Sequence, residues 1–187
     1  CLNCCFNIYI FFYMKKIIIT GKSNIESIKG IKNKKRVSMM DISQEEFTLK
    51  EQVECIKKIY GNCDFKHKQL YVTEIKKKIS GYKQQDIKKN KLNKELFITY
   101  DDLIEKMIIS KHKCFYCRKI CKILFKNIRD PEQWTLERKD NSIGHTCDNV
   151  EICCYKCNIK RGTKNSEAFR FAKQMKIIKK IKSLLLF

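Results

Sequence analysis

The chain has 187 residues, room for one or two small domains. Apolar residues make up 43% and charged residues 33%, so a modest core can form and composition does not impose disorder. Lys and Arg number 41 against 20 Asp and Glu, a formal net charge of +21, which says little about fold and points to a polyanionic partner, nucleic acid first. An AT-rich genome, which favours Lys, Ile and Asn codons, accounts for part of that excess. The 12 cysteines include paired C-x-x-C units. With the charge pattern, these favour metal binding in a reducing, intracellular compartment over a secreted disulfide scaffold.

The N-terminal "CLNCCFNIYIFFYMKK" lacks an initiator Met, and Met14 opens an ordinary-looking "MKKIIITGKSN". Residues 1–13 read as upstream translation or a fragment edge rather than native protein. The apolar run Phe6–Tyr13 is too short to span a bilayer, and no basic region precedes it, so no membrane partner is expected. A weak membrane-contacting segment is the competing reading. Residues 14–40 are Lys-rich with little periodicity: "KIIIT" could be a short strand, and "SNIESIKGIKNKKRVS" looks like a mobile arm. Residues 1–40 are thus expected to be a basic, poorly ordered arm.

Residues 41–110 read as a helical segment. Ser43 and Glu46 have capping-box spacing. Phe47, Leu49, Val53, Ile56 and Ile59 follow near helical spacing, and Gly61 is a plausible stop. "YVTEIKKKIS" is a second helix ended by Gly81, and "YKQQDIKKNKLN" a third, shorter and more polar. "TYDDLIEKMIIS" opens with Thr99 and Asp102 at cap spacing, and Leu103, Ile104, Met107 and Ile108 make one apolar face. Cys55 and Cys63 read as helical core thiols.

The character changes at Lys111. From there to the end, 19 Lys and Arg face 7 Asp and Glu. Cys114 and Cys117, then Cys154 and Cys157, form two C-x-x-C units. Two residues between thiolates let a tight turn aim both sulfurs at one ion, and two such knuckles complete a tetrahedron. The expected ion is structural Zn²⁺, since four thiolates leave no open position. The 36 residues between Cys117 and Cys154 must loop out from it. Cys121, Cys147 and Cys153 are spare, and Cys153 reads as a buried strand residue before the second knuckle. Within the insert, "WTLER" reads as a strand, "DNSIGHTCDN" as a loop, "VEICC" as the returning strand and "CYKCNIKRGT" as the start of a helix. Two strands and a helix around a metal make a ββα-metal, treble-clef-like unit over 111–165. A basic helix over 166–187 closes the chain, with Ala168, Phe171, Ala172, Met175 and Ile178 as its core-packing stripe. The fold class is α+β.

At this point the chain resembles a known family. The pattern C-x-x-C, then L-[D/E]-R-x-D-N-x-x-G-H-x-x-x-N-V, then C-C-x-x-C-N-x-x-R resembles the zinc-containing HNH endonuclease domain of the His-Me finger superfamily. It resembles most closely the variant in proteins of large DNA viruses and some phages, in which a helical segment with "GYKQQDI" (here Gly81–Ile87) also precedes the knuckle. The resemblance covers about Lys111 to Thr163, with weaker similarity back to about Glu46. It implies metal-dependent hydrolysis of phosphodiester bonds, in double-stranded DNA as the expected partner. It implies that Glu137, ending the first strand, and Asn158, on the helix, bind one catalytic Mg²⁺ or Mn²⁺ through hard oxygens. It implies that Asn149 pins the loop. HNH enzymes usually place the general base, a histidine, immediately after the acidic residue, and here that position holds Arg138. Arginine stays protonated and cannot serve as a base, so Arg138 reads as a phosphate clamp. His145 is the best remaining candidate base. Lysines at 156, 160, 164, 173, 176, 179 and 180 would make phosphate contacts. Two other readings stand beside the enzyme. In a non-catalytic nucleic-acid-binding zinc module, His145 would hold the loop, Glu137 and Arg138 would pair, and Asn158 would cap the helix. The third reading is a zinc-stabilised protein-interaction domain. The sequence carries no signal of oligomeric state.

Overall fold

In chain order, Leu49–Tyr60 (α1), Lys68–Lys88 (α2) and Tyr100–Ile109 (α3) precede the strands Trp134–Arg138 (β1) and Val150–Cys154 (β2). Two helices follow, Tyr155–Arg161 (α4) and Ser166–Gln174 (α5). The computed structural model describes residues 48–175, and Ile25 alone before them. The residue 1–40 arm, the Ser43–Glu46 cap, Ile178 and the lysines at 176, 179 and 180 therefore lie outside the described residues. Among those described, the class is α+β, as expected.

Local chemistry explains the helix ends. Thr48 caps α1 by accepting from the Glu51 amide, and the Gly61 amide closes the helix on Ile59 and Lys57 carbonyls. Thr99 and Asp102 form the expected reciprocal capping box on α3, and Leu103, Ile104 and Met107 turn inward. The second and third helices expected from the sequence are one: α2 runs unbroken through Gly81. A methyl at Gly81 would meet nothing within 4 Å, so the residue sits on open surface. Glycine costs a helix interior about 1 kcal/mol but does not end it without a left-handed turn behind it. That turn comes at Asn90 (φ 53°), where the Lys91 amide reaches back 2.8 Å to the Asp86 carbonyl.

Contacts on both sides of Gly81 carry α2 across it. Lys78, Tyr82 and Asp86 fall four residues apart, on one face of the helix. The Lys78 ammonium donates to the Trp134 carbonyl, the Leu136 amide donates to the Tyr82 hydroxyl at 3.0 Å, and Asp86 accepts from the His145 amide at 2.6 Å. Among the described residues the outer edge of β1 meets no third strand, and α2 satisfies it with side chains.

β1 and β2 pair antiparallel in the register Trp134↔Cys154, Leu136↔Ile152, Arg138↔Val150. Alternation puts Trp134, Leu136, Val150 and Ile152 into the core. Thr135, Glu137, Glu151 and Cys153 share the other face. The core runs without a break from α1–α3 (Ile56, Tyr71, Ile75, Leu103, Met107) through Ile123 and Leu124 to the hairpin. Buried Gln52 on α1 ties it to the linker by accepting from the Ile123 and Leu124 amides at 2.8 and 2.9 Å. The helical segment and the cysteine-bearing segment are thus one packed unit, not two.

Two expectations fail. Cys63 follows α1 and is exposed, whereas Cys55 is the core thiol expected. The predicted stripe of α5 faces out, with Phe171 70% and Met175 51% exposed. Asn165 caps α5 by accepting from Ala168, which sets its phase, and the inward positions become Ser166 and Phe169. Phe169 meets the Tyr116 ring edge-on at 4.9 Å, and the Gln174 amide donates to the Phe115 and Tyr116 carbonyls at 2.9 and 3.0 Å.

Where α2 meets the hairpin loop the fit admits only glycine. A Cβ at Gly144 would sit inside contact distance of the Lys91 carbonyl oxygen and 2.8 Å from Asp86 Oδ2. Gly144→Ala should therefore cost about 1–3 kcal/mol, read as a lowered melting temperature at saturating zinc. An unchanged melt would show that this junction yields freely.

Candidate metal centre and hairpin site

The four predicted ligands converge. Sulfurs of Cys114, Cys117, Cys154 and Cys157 lie within 4.8 Å of one another and can hold one metal ion. The Cys117 and Cys154 sulfurs are 3.9 Å apart, close to the ~3.8 Å edge of a tetrahedron with zinc–sulfur bonds near 2.3 Å. The donor set fits structural zinc. The first knuckle is a tight turn in which the Cys114 amide donates to the Lys119 carbonyl at 2.8 Å and Arg118 takes a left-handed φ of 62°. The Phe115 amide bonds the Ile152 carbonyl at 2.8 Å, which docks that turn on β2. The second knuckle is the β2–α4 junction itself. Cys153 is the buried strand residue expected, its sulfur 3.7 Å from Cys114. Cys121 is buried beside the knuckle, its thiol donating to the Lys119 carbonyl at 4.0 Å.

The hairpin carries the other predicted residues. Asn149 holds the loop closed: its amide donates to the Asp140 and Gly144 carbonyls at 2.9 and 3.0 Å, and its oxygen accepts from the Asp140 amide at 2.9 Å. Asn158, on α4, reaches back to β1, donating to Thr135 Oγ1 at 3.1 Å and to the Leu136 carbonyl at 3.3 Å. Thr135 and Glu137 share a strand face, so Asn158 reaches the same face of β1 that carries Glu137. The Asn158 side-chain oxygen Oδ1 accepts no hydrogen bond among the described residues.

Glu137 is 3% exposed, and its partner is Arg161 at 2.9 Å, with the Tyr116 hydroxyl donating at 3.2 Å. Burial raises its pKa to about 7, against the lowering by Arg161 and Tyr116. Arg138 points elsewhere, donating to the Ile143 carbonyl at 3.3 Å. Arg161 is the hub that sequence reasoning missed. Besides Glu137 it donates to Asn141 Oδ1 at 2.8 Å and the Lys139 carbonyl at 2.7 Å, joining helix, strand and loop. It stood in the C-N-x-x-R string with no role attached. Tyr116, inside the first knuckle, carried no signal at all.

His145 packs against α2. Its Nδ1 is 2.8 Å from Asp86 Oδ1, and its ring stacks tilted on Tyr82 at 4.7 Å. Burial lowers its pKa, and Asp86 opposes that shift. Tyr82 and Asn158 meet at one residue, the first on the Leu136 amide and the second on its carbonyl. Comparison with known families, curated proteins and solved structures finds no match for this chain.

Proposed function

We propose that the protein is a metal-dependent endonuclease of the HNH type that hydrolyses phosphodiester bonds in DNA, with zinc at the four cysteines as a structural ion. The observation that carries this reading is the reach of Asn158 from α4 to Thr135 on β1, beside Glu137. A carboxylate and an amide oxygen are hard donors suited to Mg²⁺ or Mn²⁺. Asn158 Oδ1 accepts no hydrogen bond among the described residues, and Glu137 must exchange Arg161 for the ion. A divalent ion there would supply charge stabilisation at the scissile phosphate. Net charge of +21 supports a nucleic-acid partner.

The burial of Glu137 against Arg161 favours a second reading, in which this ion pair is purely structural and the zinc module binds nucleic acid without cutting it. Supercoiled plasmid separates the two. The enzyme nicks it with Mg²⁺ or Mn²⁺, stops with EDTA, and loses at least about 10²-fold in rate in Asn158→Ala while still shifting DNA in a gel. A protein that shifts DNA steeply with falling salt and never nicks it is the binding module.

A further inference from the structure

The segment "GYKQQDI" has a physical purpose visible only in three dimensions. It brings Tyr82 and Asp86 to the hairpin, Tyr82 onto the Leu136 amide and Asp86 onto His145. Asp86 is 1% exposed and His145 3%. The carboxylate takes two hydrogen bonds from one residue, from the His145 backbone amide at 2.6 Å on Oδ2 and at Nδ1 at 2.8 Å on Oδ1. An ionised carboxylate only accepts, so Nδ1 must be the protonated ring nitrogen and Nε2 keeps its lone pair. Nε2 makes no hydrogen bond among the described residues, and, unlike both ring nitrogens of His112, it is not a sealed and unpartnered atom. Gly144 is what lets the loop approach this closely, since any side chain there would strike the Asp86 carboxylate.

We propose that Asp86 is a positioning residue of this nuclease, fixing His145 as the Nδ1–H tautomer so that Nε2 takes the proton of the attacking water. The inference rests on the nuclease reading and deepens it. In the step itself, a water O–H bond breaks and its proton joins Nε2. The water oxygen forms the new bond to phosphorus. The phosphorus–oxygen bond to the leaving group breaks with its electron pair on that oxygen, which takes a proton from solvent. Imidazolium then stands against the Asp86 carboxylate until it returns its proton to solvent. The groups that face the ring are Asp86 and Tyr82 from α2, Lys89 at the end of α2, and Arg138 from β1. Asp86 raises the histidine pKa, and the two cations lower it.

The test uses the zinc-loaded full chain. Nitrogen NMR of the histidine rings, with His145 assigned by its loss in His145→Gln, should show a protonated Nδ1 and a bare Nε2. A protonated Nε2 at neutral pH overturns the proposal, and this reading needs no variant of Asp86 to fold. Asp86→Asn should lower nicking by about 10²–10⁴-fold and move the acid limb of the pH–rate profile to lower pH, because the charge that raised the pKa is gone. A loss equal at every pH, with the limb unmoved, contradicts the role. Wild type that cuts while His145→Gln cuts equally well overturns the dyad alone. Wild type that cuts under no metal overturns the nuclease reading itself, and the base role with it.

Discussion

Stripping zinc from this protein should unfold it. The four sulfurs come from two stretches of chain, 114–117 and 154–157, and both are welded to the hairpin. Because the same core continues into α1–α3, losing the knuckles exposes the whole apolar interior. Binding energies of structural zinc sites, apparent values of about 10–16 kcal/mol, exceed or match the net stability of a domain this size. A strong chelator, or Cys114→Ser, should abolish the cooperative thermal transition followed by circular dichroism. Cys63→Ser, at an exposed thiol away from the cluster, should melt like wild type. A metal-free protein with an unchanged transition would show that the cysteines contribute nothing to folding.

The second large effect is expected at Arg161. Its guanidinium and the Glu137 carboxylate are each 4% exposed, so removing one leaves a buried charge with no counter-ion. Arg161→Met should cost about 3–5 kcal/mol in urea unfolding at saturating zinc once the pH is high enough to ionise Glu137. Without the lowering by Arg161, the Glu137 pKa climbs above the already raised value of about 7. The native state then holds a proton that the unfolded chain releases above an ordinary carboxyl pKa of 4.5. Wild type holds the same proton up to about pH 7, so the deficit should stay level below that and grow as pH rises above it. Adding Glu137→Gln should recover most of the loss, since a neutral amide needs no counter-ion. A deficit independent of pH would place the cost in lost packing instead.

The hairpin, its loop and the following helix were legible because their signals are local. Alternation in "WTLER" and "VEICC", and two-residue cysteine spacing, are decided within a few residues. The α3 cap was legible for the same reason: Thr99 and Asp102 satisfy each other without help. The long α2 was not, because Gly81 reads as a stop and the contacts that carry the helix past it come from residues more than 50 positions away. The outward turn of Phe171 was hidden likewise, since an apolar stripe is equally good at either phase until Asn165 and Tyr116 choose one. At the candidate site the sequence named Glu137 and Asn158, and Asn158 reaches the strand face that carries Glu137. It expected Arg138 as the possible partner of Glu137 and missed Arg161, one helix away. Ion-pair choice depends on which side chains share a face, and Arg138 alternates to the opposite face of β1 from Glu137.

Nicking of supercoiled plasmid by zinc-loaded wild type is the most direct measure of the proposed hydrolysis of DNA at Glu137 and Asn158. The proposed nuclease converts plasmid to open circle with added Mg²⁺ or Mn²⁺, leaves it intact with EDTA, and loses the activity in Asn158→Ala without losing zinc. Plasmid that stays supercoiled under both metals, at protein concentrations where the DNA is fully bound, contradicts the claim.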